Sequence, residues 1–108
     1  MAIKLGKYSF VGPYTSIDKL KDKSGVYAII CNVESEFFLL DVGESFKLRT
    51  RIENHDKKDC WLKNCKGQLT IFVHYTPFLK QQGRMLIEQE LRELHNPTCE
   101  SDKRLWLP

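Results

Sequence analysis

Val26 to Val33 is a run of apolar and β-branched residues, and Phe37 to Val42 matches it after a short gap carrying Glu34, Ser35 and Glu36. Two such runs around a short acidic turn read as an antiparallel hairpin, which commits the middle of the chain to a sheet. Gly43 is expected to end the second strand. From Phe46 the period changes: Phe46, Leu48 or Arg49, Ile52 and Glu53 follow helical spacing to about Asn54. Asp59 to Cys65 reads as another short helix with Trp61 and Leu62 turned inward. Leu69 to Thr76 is a third strand, closed by Pro77.

Leu79 to Leu94 carries the strongest helical pattern, with Leu79, Gly83, Leu86 or Ile87, Leu91 and Leu94 on one stripe and Asn96-Pro97 as the stop. Upstream, Tyr8 to Pro13 alternates and then breaks, which predicts a short edge strand and a turn. Thr15-Ser16 offers a cap for one or two helical turns. At the other end, Arg104-Leu-Trp-Leu-Pro is expected to fold back so that Trp106 covers the core. The expected fold is α+β, a small, mainly antiparallel three-stranded sheet with an N-terminal edge strand, flanked by helices. With 108 residues and no internal repeat or linker, residues 1–108 form one domain.

A 42% hydrophobic and 29% charged composition is that of an ordinary globular chain. No apolar run reaches membrane-spanning length and no basic-then-apolar leader follows Met1, so the expectation is a cytoplasmic protein with no membrane partner. Cysteine usage is read in agreement: Cys31 as a small core residue, and Cys60, Cys65 and Cys99 as thiols outside any C-x-x-C pair. Cys60 and Cys65 with His55 and His74 offer a loose zinc alternative.

Charge is unevenly spread. Ser45 to Gln68 holds the bases Lys47, Arg49, Arg51, Lys57, Lys58, Lys63 and Lys66 against Glu53, Asp56 and Asp59, whereas Gly25 to Glu44 holds four acids and no base. A basic segment beside an acidic strand pair suits a polyanion held next to a cation site; a solvated helical face accounts for the same residues.

Several side chains in this frame could carry chemistry. Tyr27 lies on the first long strand, as a packing tyrosine or as a phenol in a site. Arg51 and His55, at i and i+4, project from one helix face. Glu88, inside Arg84-Met-Leu-Ile-Glu, is either the partner of Arg84 in a helical ion pair or a carboxylate holding Mg²⁺ or Mn²⁺ with water in the other positions. Asp56 and Asp59 either border His55 and tune it or cap the following turn.

Taken in order, Gly25-Val26-Tyr27, Asp41-Val42-Gly43, Arg51, His55 and Glu88 resemble the GIY-YIG nuclease family over about Ser24 to Glu100. The resemblance implies one-metal hydrolysis of a phosphodiester. Tyr27 would activate water with His55 as proton acceptor, Arg51 would neutralise charge on the phosphoryl oxygens, and Glu88 would hold one Mg²⁺ or Mn²⁺. Lys47, Arg49, Lys57, Lys58, Lys63 and Lys66 would bind the nucleic acid. This chain departs from the pattern at Asp41, where the second tyrosine is expected, at Glu44, often basic in relatives, and at Glu100, near an expected asparagine for which Asn96 is the nearby substitute. Asp41 would therefore orient Arg49 or Arg51, join Glu88 on the metal, or mark a site that binds without cutting.

The function so implied is a divalent-metal-dependent endonuclease acting on DNA in preference to RNA, single-stranded or branched, with targeting by substrate shape, a partner or a homodimer. A catalytically inactive nucleic-acid-binding module of the same fold is the alternative, and a zinc-stabilised interaction domain a third.

Overall fold

The computed structural model describes residues 1–99. Glu100 and the segment carrying Trp106 lie outside the described residues.

The described residues form a five-stranded antiparallel sheet with three α-helices, not the expected three-stranded sheet with an edge strand. Its strands are β1 (Ala2–Leu5), β2 (Tyr8–Tyr14), β3 (Gly25–Val33), β4 (Glu36–Ser45) and β5 (Gln68–Tyr75), in spatial order β1-β2-β5-β3-β4. The expected central hairpin is β3 and β4, and β5 lies against the other side of β3. The difference comes from the N-terminus. Ala2–Leu5 pairs with β2, and β2 pairs with β5, so the strand expected at the edge is an interior one. Of the one or two helical turns expected after Ser16, a single 3-10 turn, Ile17–Lys19, forms.

The helices are α1 (Leu48–Glu53), α2 (Lys58–Lys63) and α3 (Gln81–His95). One sheet face packs Tyr27, Ile29 and Val73 with Leu48 and Ile52 of α1 and Trp61 of α2. The opposite face packs Val26, Ala28, Val42 and Phe72 with Ile87 and Leu91 of α3. Each fully buried aliphatic chain of this kind contributes about 1.5–3 kcal/mol. The stripe read for α3 is thus corrected: Ile87 and Leu91 are buried, while Leu79, Leu86 and Leu94 are exposed. Leu62 also faces solvent, unlike Trp61, and Phe46 lies outside α1 and is exposed.

A β-bulge sets the geometry of β4. Ile30 pairs with Leu39 but Ile29 pairs with Asp41, leaving Leu40 as the extra residue. Residues at such a bulge break the strict alternation of faces. Leu40 joins the core under α1 and α2, Asp41 bonds to Trp61 of α2, and Val42 returns to the α3 face. The outer edge of β4 is partly covered where Thr98 N–H and Cys99 N–H donate to the carbonyls of Leu39 and Leu40 at 3.3 and 2.6 Å.

The free thiols expected from the sequence are replaced by two disulfides, Cys31–Cys65 and Cys60–Cys99. Pairing consumes all four cysteines, so the zinc alternative loses its thiolates. His74 is also elsewhere, its Nδ1 2.8 Å from the carbonyl of Ser9 and its ring against Tyr8 and Phe10.

Candidate active site

Tyr27 stands directly opposite Gly43 in the β3–β4 ladder. Gly43 lies inside β4 and does not end it. A Cβ at Gly43 would overlap the Tyr27 phenol, so the absence of a side chain there is what lets the ring lie across the neighbouring strand. The ring is 2% exposed, and its hydroxyl is 2.6 Å from His55 Nε2. His55 follows α1, two residues beyond the Glu53 end, and its ring packs at 4.5 Å from the Trp61 ring.

The backbone decides which imidazole nitrogen holds the proton. Lys57 N–H donates to His55 Nδ1 at 2.9 Å, so Nδ1 is an acceptor and the neutral ring carries its proton on Nε2. Burial, followed by the positive charge of Arg51, lowers the His55 pKa to about 4, so the ring is neutral at pH 7. In this tautomer Nε2–H donates to the Tyr27 oxygen. The proton-acceptor role that the resemblance implies for His55 would need the other tautomer, with Nε2 unprotonated. Asp56 does border it, with Oδ1 3.4 Å from Nδ1 and 3.4 Å from Arg51 Nη2.

Asp41 is 1% exposed and accepts the Trp61 indole N–H at Oδ2, 2.9 Å away. Among the described residues it forms no ion pair with Arg49 or Arg51, the first of the three alternatives, because the bulge turns it toward α2. His55 Nε2 is 3.9 Å from its Oδ2. Burial raises the Asp41 pKa to about 6, with the Trp61 hydrogen bond opposing the shift. Burial also raises Tyr27 well above an ordinary phenol, reinforced by Asp41 and, more weakly, Glu88, and opposed by Arg51 and Arg92. A buried phenol with carboxylates nearby resists ionisation unless those charges are offset.

Glu88 and Arg92 come from α3, on the other face of the sheet. The expected Arg84–Glu88 pair does not form. Arg84 Nε instead donates to Glu44 at 2.8 Å, and its Nη1 donates to Ser24 Oγ and the Leu79 carbonyl at 3.3 and 3.1 Å. Glu44, expected as an unbalanced acid at the hairpin mouth, is neutralised by this pair. Glu88 pairs with Arg92 one turn later, at 3.4 Å, while Arg92 also donates twice to the Val42 carbonyl, at 3.1 and 3.3 Å. Burial lifts the Glu88 pKa to about 7, Arg92 opposes the lift, and Glu44 and Asp41 add to it.

Two contributors escaped sequence reasoning. Arg92 was accessible to it, since the i, i+4 rule applied to Arg84 holds equally in the other direction from Glu88. Trp61 was read as core, and its bond to Asp41 depends on a bulge that no spacing reveals.

Among the described residues, no three His, Cys, Asp or Glu side chains are grouped for metal ligation. Glu88 would be the protein donor for the cation that the resemblance implies, and one carboxylate with water and substrate oxygens is chemistry that Mg²⁺ and Mn²⁺ accept. The six bases expected to bind nucleic acid do not gather round Tyr27. Lys47 and Arg49 lie at the β3 start, Lys57 and Lys58 at the α1–α2 turn, and Lys63 and Lys66 at the far end near Asn32. Lys47, Lys63 and Lys66 are exposed, and the others half-buried.

Among protein-family models, curated proteins and solved structures, none matches this chain. No helix of the described residues is long and apolar enough to cross a membrane.

Proposed function

We propose that the chain is a phosphodiester hydrolase and, more narrowly, a GIY-YIG-type endonuclease acting on DNA with one Mg²⁺ or Mn²⁺. The observation that carries this reading is the Tyr27 hydroxyl held 2.6 Å from His55 Nε2, with both side chains buried. The phenolate of Tyr27 is the base that takes a proton from the attacking water. Burial opposes that phenolate most and the Asp41 and Glu88 carboxylates add to the opposition, while Nε2–H of His55, Arg51 and Arg92 favour it. Arg51, 43% exposed in its side chain, is free to swing from Asp56 to a phosphoryl oxygen. A cation on Glu88 would supply charge neutralisation at the leaving oxygen and offset one of the two opposing carboxylates.

The test is cleavage of labelled single-stranded, duplex and branched DNA with Mg²⁺, Mn²⁺ or EDTA. Tyr27→Phe should cut about 10²-fold to 10⁴-fold more slowly, the usual loss for a missing acid–base group. Glu88→Ala should abolish metal-dependent cutting. Absence of cutting by the unaltered chain under every condition overturns the reading.

One observation favours the second reading, a binding module without activity: Asp41 stands buried and, among the described residues, without a Lys or Arg partner where it disfavours ionisation of Tyr27. In that case DNA binding survives EDTA and no product forms. For either reading, homodimerisation is a route to targeting that light scattering tests. Cytoplasmic placement is opposed by the two disulfides, which persist mainly in oxidising compartments. Mass analysis after alkylation of protein from its native source, with and without reductant, decides between the two.

A further inference from the structure

We propose that the end of the sheet beside Tyr27 is a stacking platform for single-stranded nucleic acid, with Phe46 and Phe78 receiving unpaired bases and Lys47, Lys80 and Lys23 receiving phosphates. This rests on the nuclease reading and names its substrate as an unpaired strand.

Strand register brings these residues to one end of the sheet. Gly25 pairs with Ser45 on one side and Tyr75 on the other, so the chain leaving β4 and the chain leaving β5 flank the start of β3, roughly 10 Å apart at sheet spacing. Hydrogen bonds tie both to it: Leu48 N–H to the Lys23 carbonyl at 2.9 Å, and Thr76 N–H to the Ser24 carbonyl at 2.9 Å. Phe46 and Phe78 sit on these two exits and are 69% and 96% exposed. Tyr27 is two residues along β3 from Gly25, about 7 Å. A strand cut at Tyr27 therefore passes the platform within a few nucleotides.

The charge around the rings suits a polyanion. Lys23, Lys47 and Lys80 are exposed, and among the described residues none is within ion-pair distance of an acid. The nearby acids are engaged: Asp22 accepts from Thr50 N–H and Oγ1–H at 2.9 and 2.7 Å, and Glu44 is paired with Arg84. Lys47 also precedes Arg51 by one helical turn, extending the basic track from the site to the platform. Bases of a duplex are already stacked and cannot use two separate rings, whereas unpaired bases can, whatever their sequence. The opposite end of the hairpin supplies a contrast. Phe37 and Phe38 are 51% and 48% exposed but stand beside Glu34 and Glu36 in a hairpin whose own residues, 25–44, include no base.

The experiment is fluorescence anisotropy in EDTA, so that binding is read without cleavage. The probes are a labelled oligothymidylate, a duplex of the same length and an abasic strand of the same length. Unaltered protein should prefer oligothymidylate. Phe46→Ala and Phe78→Ala should each weaken that binding at least about 5-fold, the lower end for loss of a base–aromatic stack. Duplex and abasic binding should hold, as should the melting temperature and the salt slope. Lys47→Gln with Lys80→Gln should flatten the salt slope instead. Phe37→Ala with Phe38→Ala should change nothing. Oligothymidylate binding unchanged in the Phe46→Ala/Phe78→Ala protein, or lost equally for duplex, overturns the platform and leaves the nuclease reading standing. Failure of the unaltered chain to bind any probe overturns both.

Discussion

Gly43→Ala should damage stability and the site together, because the added methyl falls on a ring that has nowhere to go. The Cβ would overlap the hydroxyl, Cζ and Cε2 of Tyr27. That ring is 2% exposed and fixed by its bond to His55, and Gly43 is opposite it in the ladder. Forcing a methyl into a packed core costs about 1–3 kcal/mol, and displacing the phenol from His55 adds about 1 kcal/mol. A total near 3 kcal/mol lowers the melting temperature by about 12–24 °C in a domain of this size. The cause is isolated by a double-mutant cycle. Tyr27→Ala alone leaves a cavity and costs about 3–5 kcal/mol, but adding Gly43→Ala to it should cost almost nothing more, since the methyl then enters the cavity. Chemical denaturation of the four proteins measures the coupling. Additive losses, or a Gly43→Ala penalty below about 0.5 kcal/mol, the range of an ordinary surface change, would refute the packing argument.

Arg84→Met should destabilise by about 1–3 kcal/mol, the cost of leaving a largely desolvated polar group without its partner; Glu44 is 12% exposed in its side chain. Adding Glu44→Met should recover most of this, and urea melts showing no recovery would mean Arg84 acts through Ser24 and the Leu79 carbonyl instead. The Asp41 pKa, raised to about 6, means its protonated form is favoured by folding, so its contribution to stability is lost as pH rises from about 4 through 6. Asp41→Asn should therefore gain stability over the unaltered chain as pH rises through that window, read by thermal melts at several pH values; a constant difference refutes the burial argument. Reduction of Cys31–Cys65 and Cys60–Cys99 should cost about 2–5 kcal/mol for each bridge and release α2, which both bridges hold. In a Trp106→Phe background, Trp61 fluorescence should shift to the red on reduction, and an unmoved spectrum would show that α2 stays docked without them.

The parts of this molecule that were legible in the sequence are those decided by local pattern. β3 and β5 are buried on both faces at their centres, and continuous apolar runs announce such strands. The N-terminal hairpin was not legible because Ala2–Leu5 is only four residues long and its place depends on β2 choosing β5, a pairing across some sixty residues. The site divides in the same way. Tyr27, Arg51, His55 and Glu88 could be named in order, but their partners could not, because sequence spacing sees only neighbours one helical turn away. Arg84 turns from Glu88 to a strand residue, Glu44, at 2.8 Å, and Asp41 turns from the arginines to an indole. Both choices follow from β4. Its bulge aims Asp41 at α2, while Gly43, two residues later, opens the space that Tyr27 fills. Val42, between them, offers its carbonyl to Arg92 of α3, the partner of Glu88. Three consecutive residues thus connect groups from opposite faces of the sheet, and a change in bulge position should disturb the phenol, the carboxylate and the guanidinium together.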